Sequence, residues 1–264
     1  MRFSIKRKYA AVVIGLIIGI GTFLYAKSQY VVPIIMYHNI DEKSAVSMLS
    51  VSPESFKRQM SFLKNHKYNV VKLEELAALL KENKLPSKTI AVTFDDGYEN
   101  NYTDAYPVLK ELGLHATVFI ITAMVGTEGY MTWDQILEMS ESGIITIGSH
   151  TMTHPWLPDL PNQKLDSELM GSKRSIESHL NKRAAVFSYP SGGFNQNVRN
   201  KVINAGYKIA VATNPGKRYP KHDLFAMKRI KIAKTSDNLF IFWFETTGFY
   251  TWLKEHRGKH LITE

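Results

Sequence analysis

Seven short, strongly apolar runs recur along the chain, and the stretches between them carry the spacing of amphipathic helices. The runs are VVPIIMY (Val31–Tyr37), YNVV (Tyr68–Val71), KTIAVTF (Lys88–Phe94), HATVFII (His115–Ile121), IITIGS (Ile144–Ser149), AAVFSY (Ala184–Tyr189) and YKIAVA (Tyr207–Ala212). Helical patterns occupy Pro53–His66, Leu73–Glu82, Asn101–Leu112, Thr132–Ser142, Gln163–Asn181 and Asn195–Ala205. Strands this apolar must be covered on both faces, the condition of a parallel sheet flanked by helices. So many β/α units in unbroken rhythm predict an α/β fold closed into a (β/α) barrel, a distorted seven-stranded TIM-like one, rather than an open sheet. A last β-like stretch (Ala226–Ala233) and an aromatic helix from about Asp237 to His256 complete it. No linker rich in Pro, Gly or Ser interrupts residues 28–264, which read as one domain.

Residues 1–27 are of another kind. Arg2, Lys6, Arg7 and Lys8 precede an uncharged apolar run from Ala10 to Ala26. The run is slightly shorter than the ~20 residues of a full span, so a cleaved signal peptide competes with an uncleaved membrane helix. Leu24 stands where cleavage before Lys27 would want a small residue, which favours the anchor. The basic flank stays inside, so the expected location is the cell membrane with the domain outside, or secretion if the segment is cleaved.

The formal net charge of +9 falls to +4 once the five basic residues flanking the run are set aside. That excess suits work near anionic envelope polymers and gives no ground for a nucleic-acid partner. The chain has no cysteine, which removes disulfides, thiolate ligands and a Cys nucleophile, so a metal site must use His, Asp or Glu.

Active sites of β/α barrels sit at the C-terminal ends of the strands. Four runs end in reactive residue types: His38 after PIIMY, Asp95 and Asp96 after TIAVTF, His150 with His154 after IITIGS, and Tyr189, Pro190 and Ser191 after AAVF. Adjacent carboxylates before Gly97 can divide labour, one facing a metal and one free as a base, although an Asp-Gly turn alone is an equally ordinary reading. The H-x-x-x-H spacing would place both imidazoles on one side of a helical turn. With a carboxylate from another strand the set is two His and one Asp, leaving positions open for water. There is no G-x-S-x-G elbow, and no H-E-x-x-H helix. A glycosidase pair would stand about 5–9.5 Å apart across a bond, whereas Asp95 and Asp96 are sequence neighbours. Of the aromatic residues beside these motifs, Tyr98, Trp156, Tyr189 and Phe194, Tyr98 is the first choice for a sugar-stacking surface, against core packing as the ordinary alternative.

T-F-D-D-G at Thr93–Gly97 followed by S-H-T-M-T-H at Ser149–His154 resembles the polysaccharide deacetylases of carbohydrate esterase family four, the NodB-homology domain, over roughly Val31 to Ala233. The resemblance implies Asp95 as general base, Asp96, His150 and His154 as ligands of one divalent ion, and Tyr189, Pro190 and Ser191 along the substrate groove, where the aromatic Tyr98 would join them. Zinc is the first choice of metal, and cobalt, nickel or manganese also suit the donor set. Two departures stand out. The R-x-P-Y motif of many members reads Ser188-Tyr189-Pro190-Ser191, so the Arg that orients the base is missing, and no C-terminal L-x-H exists, since His260 precedes the final leucine. M-Y-H at Met36–His38 instead resembles the branch acting on exopolysaccharides such as poly-N-acetylglucosamine, which makes His38 the candidate acid. The implied activity is hydrolysis of a non-peptide C–N bond: removal of N-acetyl groups from an N-acetylglucosamine-containing exopolysaccharide or peptidoglycan, with release of acetate. The alternatives are a catalytically silent glycan-binding protein on the same barrel and an amidase acting on a non-sugar substrate. A monomer is expected.

Overall fold

The computed structural model describes residues 2–41, 49–213, 215 and 219–257, with the side chains of residues 2–8, 10–12 and 257 outside the description. Among the described residues eleven strands are formed: β1 Ile34–Tyr37, β2 Asn39–Ile40, β3 Ser50–Val51, β4 Asn69–Val70, β5 Thr89–Phe94, β6 Ala116–Ile120, β7 Ile145–Ser149, β8 Val186–Ser188, β9 Ile209–Ala212, β10 Met227–Lys228 and β11 Ile230–Lys231. Eight of them pair in the order β10-β9-β8-β7-β6-β5-β1-β11, every pairing parallel. The two ends of that order are consecutive in the chain, separated by Arg229 alone. Met227 and Lys228 pair with β9, Ile230 and Lys231 with β1, and the Arg229 N–H donates to the Ala212 carbonyl (3.1 Å). The result is a barrel-like parallel sheet, as the β/α rhythm requires.

The YNVV run forms β4, a ninth strand that joins the sheet off this path. β4 pairs only with Thr89 and Ile90 at the start of β5, and the stretch expected merely to finish the domain joins the two edges of the sheet instead. β4 has one neighbour, whereas the two short strands of Met227–Lys231 present different edges to β9 and β1.

Helices wrap the outside and bury their apolar stripes against Ile35, Val92, Val118 and Ile147. Inside the barrel lie Ile34, Ala91, Phe119, Val186, Ile209, Val211 and Met227. Leu73, Leu76 and Ala77 of the helix Leu73–Lys81 join this inner cluster beside Val32, so that helix covers the end where the strands begin. Gly148 belongs to the same layer for want of room: a Cβ there would stand 2.5 Å from Phe119 Cδ1 and 2.6 Å from Val186 Cγ2. Strand side chains alternate with a period of two. Going up from Ile34, Ala91, Gly148, Val186 and Met227, the same inward face therefore reaches His38, Asp95, His150, Ser188 and Arg229 at or near the far end.

The N-terminal segment is a continuous helix, Arg2–Ser28. Among the described residues no helix is long and apolar enough to cross a membrane. From Val13 to Tyr25 its large apolar side chains are exposed rather than packed on the barrel. The helix ends beside the strand-start end: Val31 N–H donates to the Gly248 carbonyl (2.8 Å), and Tyr30 meets Phe249 edge-on at 5.9 Å. His260 lies outside the described residues.

Candidate active site

Asp95 leaves β5 with its N–H on the Tyr37 carbonyl (3.0 Å), and the chain then turns through two left-handed residues, Asp96 (φ 73°) and Gly97 (φ 82°). Aspartate tolerates that region better than most residues, and glycine enters it freely. At Gly97 space matters too, because a Cβ would come within 3.0 Å of Ile120 Cγ2. The turn separates the doublet: the Asp95 carboxylate is buried and the Asp96 carboxylate is partly open to the mouth.

Beyond β7, His150 and His154 do not share a helical turn. The segment between them is a loop with left-handed Thr151 (φ 69°) and His154 (φ 58°), braced by the Thr151 hydroxyl accepting from the His154 N–H (3.0 Å). Glu168, on the helix Asn162–Leu180, holds the loop from outside by accepting from the N–H groups of Met152 (2.8 Å) and Thr153 (3.0 Å) and from the Thr153 hydroxyl (2.7 Å). Strained backbone of this kind persists where its surroundings over-determine it.

Asp96, His150 and His154 each present a donor atom to one space, all within 4.8 Å of one another. The Asp96 Oδ1 lies 3.6 Å from His150 Nε2 and 3.8 Å from His154 Nε2. These gaps are too long for good hydrogen bonds and close to the ~3.3–3.6 Å edges of a tetrahedron with metal-ligand bonds near 2.0–2.2 Å. His150 Nδ1 lies 2.8 Å from the Ser188 carbonyl, which can only accept, so the proton sits on Nδ1 and the Nε2 lone pair faces the space. Burial, only partly opposed by Asp95 and Asp96, lowers the His150 pKa and keeps the ring neutral, as a ligand must be. The donor set thus fits a divalent cation.

Asp95 faces the same space, its Oδ2 3.8 Å from His150 Nε2. Its other contacts answer the question raised by the absent R-x-P-Y arginine. Arg229 Nη1 donates to Asp95 Oδ1 (2.7 Å) and Nη2 to Oδ2 (2.6 Å), a two-pronged clamp with both side chains buried. The guanidinium also donates to the Ser188 hydroxyl (2.9 Å) and lies over the Phe119 ring at 5.7 Å. An arginine is present after all, arriving from the segment that joins the sheet edges, and the small Ser188 leaves room for it. Burial on its own would raise the Asp95 pKa, but the Arg229 charge and hydrogen bonds, with His150, hold it well below the usual carboxylate range. Asp95 is therefore ionised at neutral pH.

His38 shares the mouth, mostly buried, its carbonyl accepting from Asn101 Nδ2 (2.8 Å). Among the described residues its Nδ1 has no hydrogen-bond partner. Burial lowers its pKa, and the carboxylates of Asp95 and Asp96 act against that.

The expected groove residues divide. Tyr98 is half-buried and stacked on Tyr130 (5.1 Å); burial and then the Asp96 charge raise its pKa. Tyr189 is withdrawn from the groove: it is fully buried, donates its hydroxyl to the Phe225 carbonyl (2.9 Å) and stacks on Phe194 (4.3 Å). Pro190 is buried too, which leaves Ser191, exposed and left-handed (φ 51°), as the member of the trio at the surface. Sequence reasoning misses Arg229 and Glu168, and meets Ser188 only as the residue in place of the R-x-P-Y arginine. The available signal for Arg229 was a charge in the middle of the β-like run AMKRIKIA, where inward-facing charge implies a partner.

Comparison with known proteins agrees with this geometry. Residues 82–210 match the family described as polysaccharide deacetylase. The Bacillus subtilis protein YxkH, named for that family, is 35% identical over 202 residues, 76% of this chain and 71% of its own. The poly-β-1,6-N-acetyl-D-glucosamine N-deacetylase of Staphylococcus aureus is 29% identical over 197 residues, 70% of this chain and 68% of its own. Among solved structures, the Streptococcus pyogenes deacetylase PplD in complex with acetate superposes with a TM-score of 0.74 at 31% identity, over 80% of this chain and 97% of that one. The chain belongs to the polysaccharide deacetylase family.

Proposed function

We propose that this protein is a metal-dependent hydrolase that removes N-acetyl groups from an N-acetylglucosamine-containing polysaccharide and releases acetate. The observation that carries the reading is an ionised, clamped carboxylate, Asp95, beside a two-His, one-Asp donor set at one barrel mouth. Asp96, His150 and His154 would hold the cation, zinc first, with cobalt, nickel or manganese as alternatives. When bound, the cation supplies Lewis acidity toward an acetyl carbonyl and water. Asp95 takes the proton of the attacking water; Arg229 fixes both carboxylate oxygens so that the accepting lone pair keeps its direction. His38 would give a proton to the departing sugar amine as the C–N bond breaks, and the Ser191 N–H would help to stabilise the oxyanion. Water supplies the oxygen of acetate, and the products are acetate and a free amine.

The grounds for a catalytically silent glycan-binding protein are the missing R-x-P-Y arginine and the missing C-terminal L-x-H histidine, and Arg229 weakens the first of them. A non-sugar amide substrate is the remaining alternative. The relatives' substrates favour an exopolysaccharide such as poly-N-acetylglucosamine, with peptidoglycan second. The test is acetate release by the full chain in detergent from poly-β-1,6-N-acetylglucosamine, peptidoglycan and chitin oligomers. Incubation with a chelator is expected to lower release at least a hundredfold, and one divalent ion to restore it. Release that persists in metal-stripped protein would sink the metal assignment.

Residues 1–27 are proposed to be an uncleaved signal anchor, with 28–264 outside the cell as a single, monomeric domain; counted with Met227–Lys231 as one strand, its barrel is the seven-stranded TIM-like kind. The uncharged run from Ala10 to Ala26 and the exposure of its described apolar side chains support the anchor. Alkaline extraction is expected to leave the full-length chain in the membrane pellet; a shorter chain in the supernatant would mean cleavage.

A further inference from the structure

Trp156 is an anomaly on the rim of the mouth. It follows the ligand His154 by two residues, within ~7 Å along the chain, yet is 46% exposed while its neighbour Leu157 is fully buried. No hydrogen bond is needed to place it, because its benzo edge rests on Gly193, in the loop after β8. A Cβ at position 193 would stand 2.1, 2.4 and 2.5 Å from Cζ3, Cη2 and Cε3 of the indole. Gly193 has φ −83° and ψ 120°, a conformation open to any residue, so its backbone does not call for glycine. The space it leaves is filled by Trp156. Two loops thus combine to hold a large aromatic ring flush against the rim with one side open to solvent. Tyr98, on the loop after β5, and Tyr130, on the loop after β6, stack to form a second aromatic surface beside Asp96.

We infer that Trp156, seated on Gly193, is a stacking platform for a pyranose ring of the polymer next to the residue that loses its acetyl group. The assignment rests on the polysaccharide reading of the site. Sugar rings present apolar C–H faces, and a fixed indole offers matching area with little entropy to lose on binding. An alanine at position 193 has no room beneath the indole and must displace it.

The experiment uses the full chain in detergent. Binding of β-1,6- and β-1,4-linked N-acetylglucosamine pentamers is measured by titration calorimetry on metal-free protein, and KM and kcat for the same pentamers on metal-loaded protein. Trp156→Ala is expected to weaken binding and raise KM about tenfold for the preferred pentamer, with kcat changed much less. Trp156→Phe should recover part of the loss. Gly193→Ala should reproduce Trp156→Ala, and the double variant should be no worse than either. Thermal melting separates this from misfolding: a loss that tracks a fall in Tm and is not recovered by Phe makes Trp156 structural and overturns the proposal, as does unchanged pentamer affinity in Trp156→Ala. Because binding is read without turnover, wild type that binds pentamers through Trp156 and releases no acetate would refute the deacetylase reading and leave the platform standing.

Discussion

Replacing Arg229 with methionine is expected to lower stability by about 3–5 kcal/mol at neutral pH, the cost of leaving a buried carboxylate without its counter-charge. For a domain of this size that is a fall in Tm of about 6–20 °C. The loss has a pH signature. The Asp95 pKa is depressed in the folded protein, so its contribution is complete above the unfolded value near 4 and is lost as pH falls through the folded value. Without Arg229 only burial remains as the main influence, and the Asp95 pKa rises. The Tm gap between wild type and Arg229→Met should therefore be largest at pH 7, narrow toward pH 4 as Asp95 of the variant takes up its proton, and close further only as pH falls below 4 toward the depressed folded value of wild type, as thermal melts across that range will read. Adding Asp95→Asn to Arg229→Met should return much of the lost stability and none of the activity. Equal Tm values for wild type and Arg229→Met at pH 7 would show that the clamp contributes nothing.

Asp95→Asn alone is expected to lower kcat/KM by roughly 10²–10⁴, the range for loss of a general base. Asparagine keeps the size and one acceptor oxygen but cannot take the proton of water. The three proposed ligands are untouched, so the metal content of the purified variant should match wild type. That combination of full metal and lost turnover separates a base from a fourth ligand. Acetate release at the native rate from folded, metal-loaded Asp95→Asn would remove Asp95 from the mechanism. The variant also strands the Arg229 charge, so its melting temperature should drop as well.

Much of this was readable before the fold. The alternation of apolar runs and amphipathic stretches dictates a covered parallel sheet, and T-F-D-D-G and S-H-T-M-T-H stand at the ends of two of its strands because that is where an apolar run gives way to solvent. What escaped depends on three-dimensional neighbours. YNVV has the composition of a strand, but only pairing reveals that it meets two residues of β5. Thr151 and His154 adopt left-handed backbone without being glycine, so H-x-x-x-H read as a helical turn when it is a braced loop. Tyr189 lies beside a motif in sequence and beneath it in space, its hydroxyl already taken by Phe225. Arg229 sits between Lys228 and Ile230, 134 positions from the carboxylate it holds, and reads as one more surface charge until the barrel brings the two together.

That separation sets an order of assembly. As the chain is synthesised, every proposed ligand and the proposed base emerge well before residue 229. A partly made chain thus holds Asp95 with no cation to balance it and a sheet whose two free edges have nothing to join them. The same five residues, Met227–Lys231, end both conditions at once. On the proposed roles, competence for catalysis and completion of the fold are then a single event, and an unfinished molecule would have no directed base with which to act.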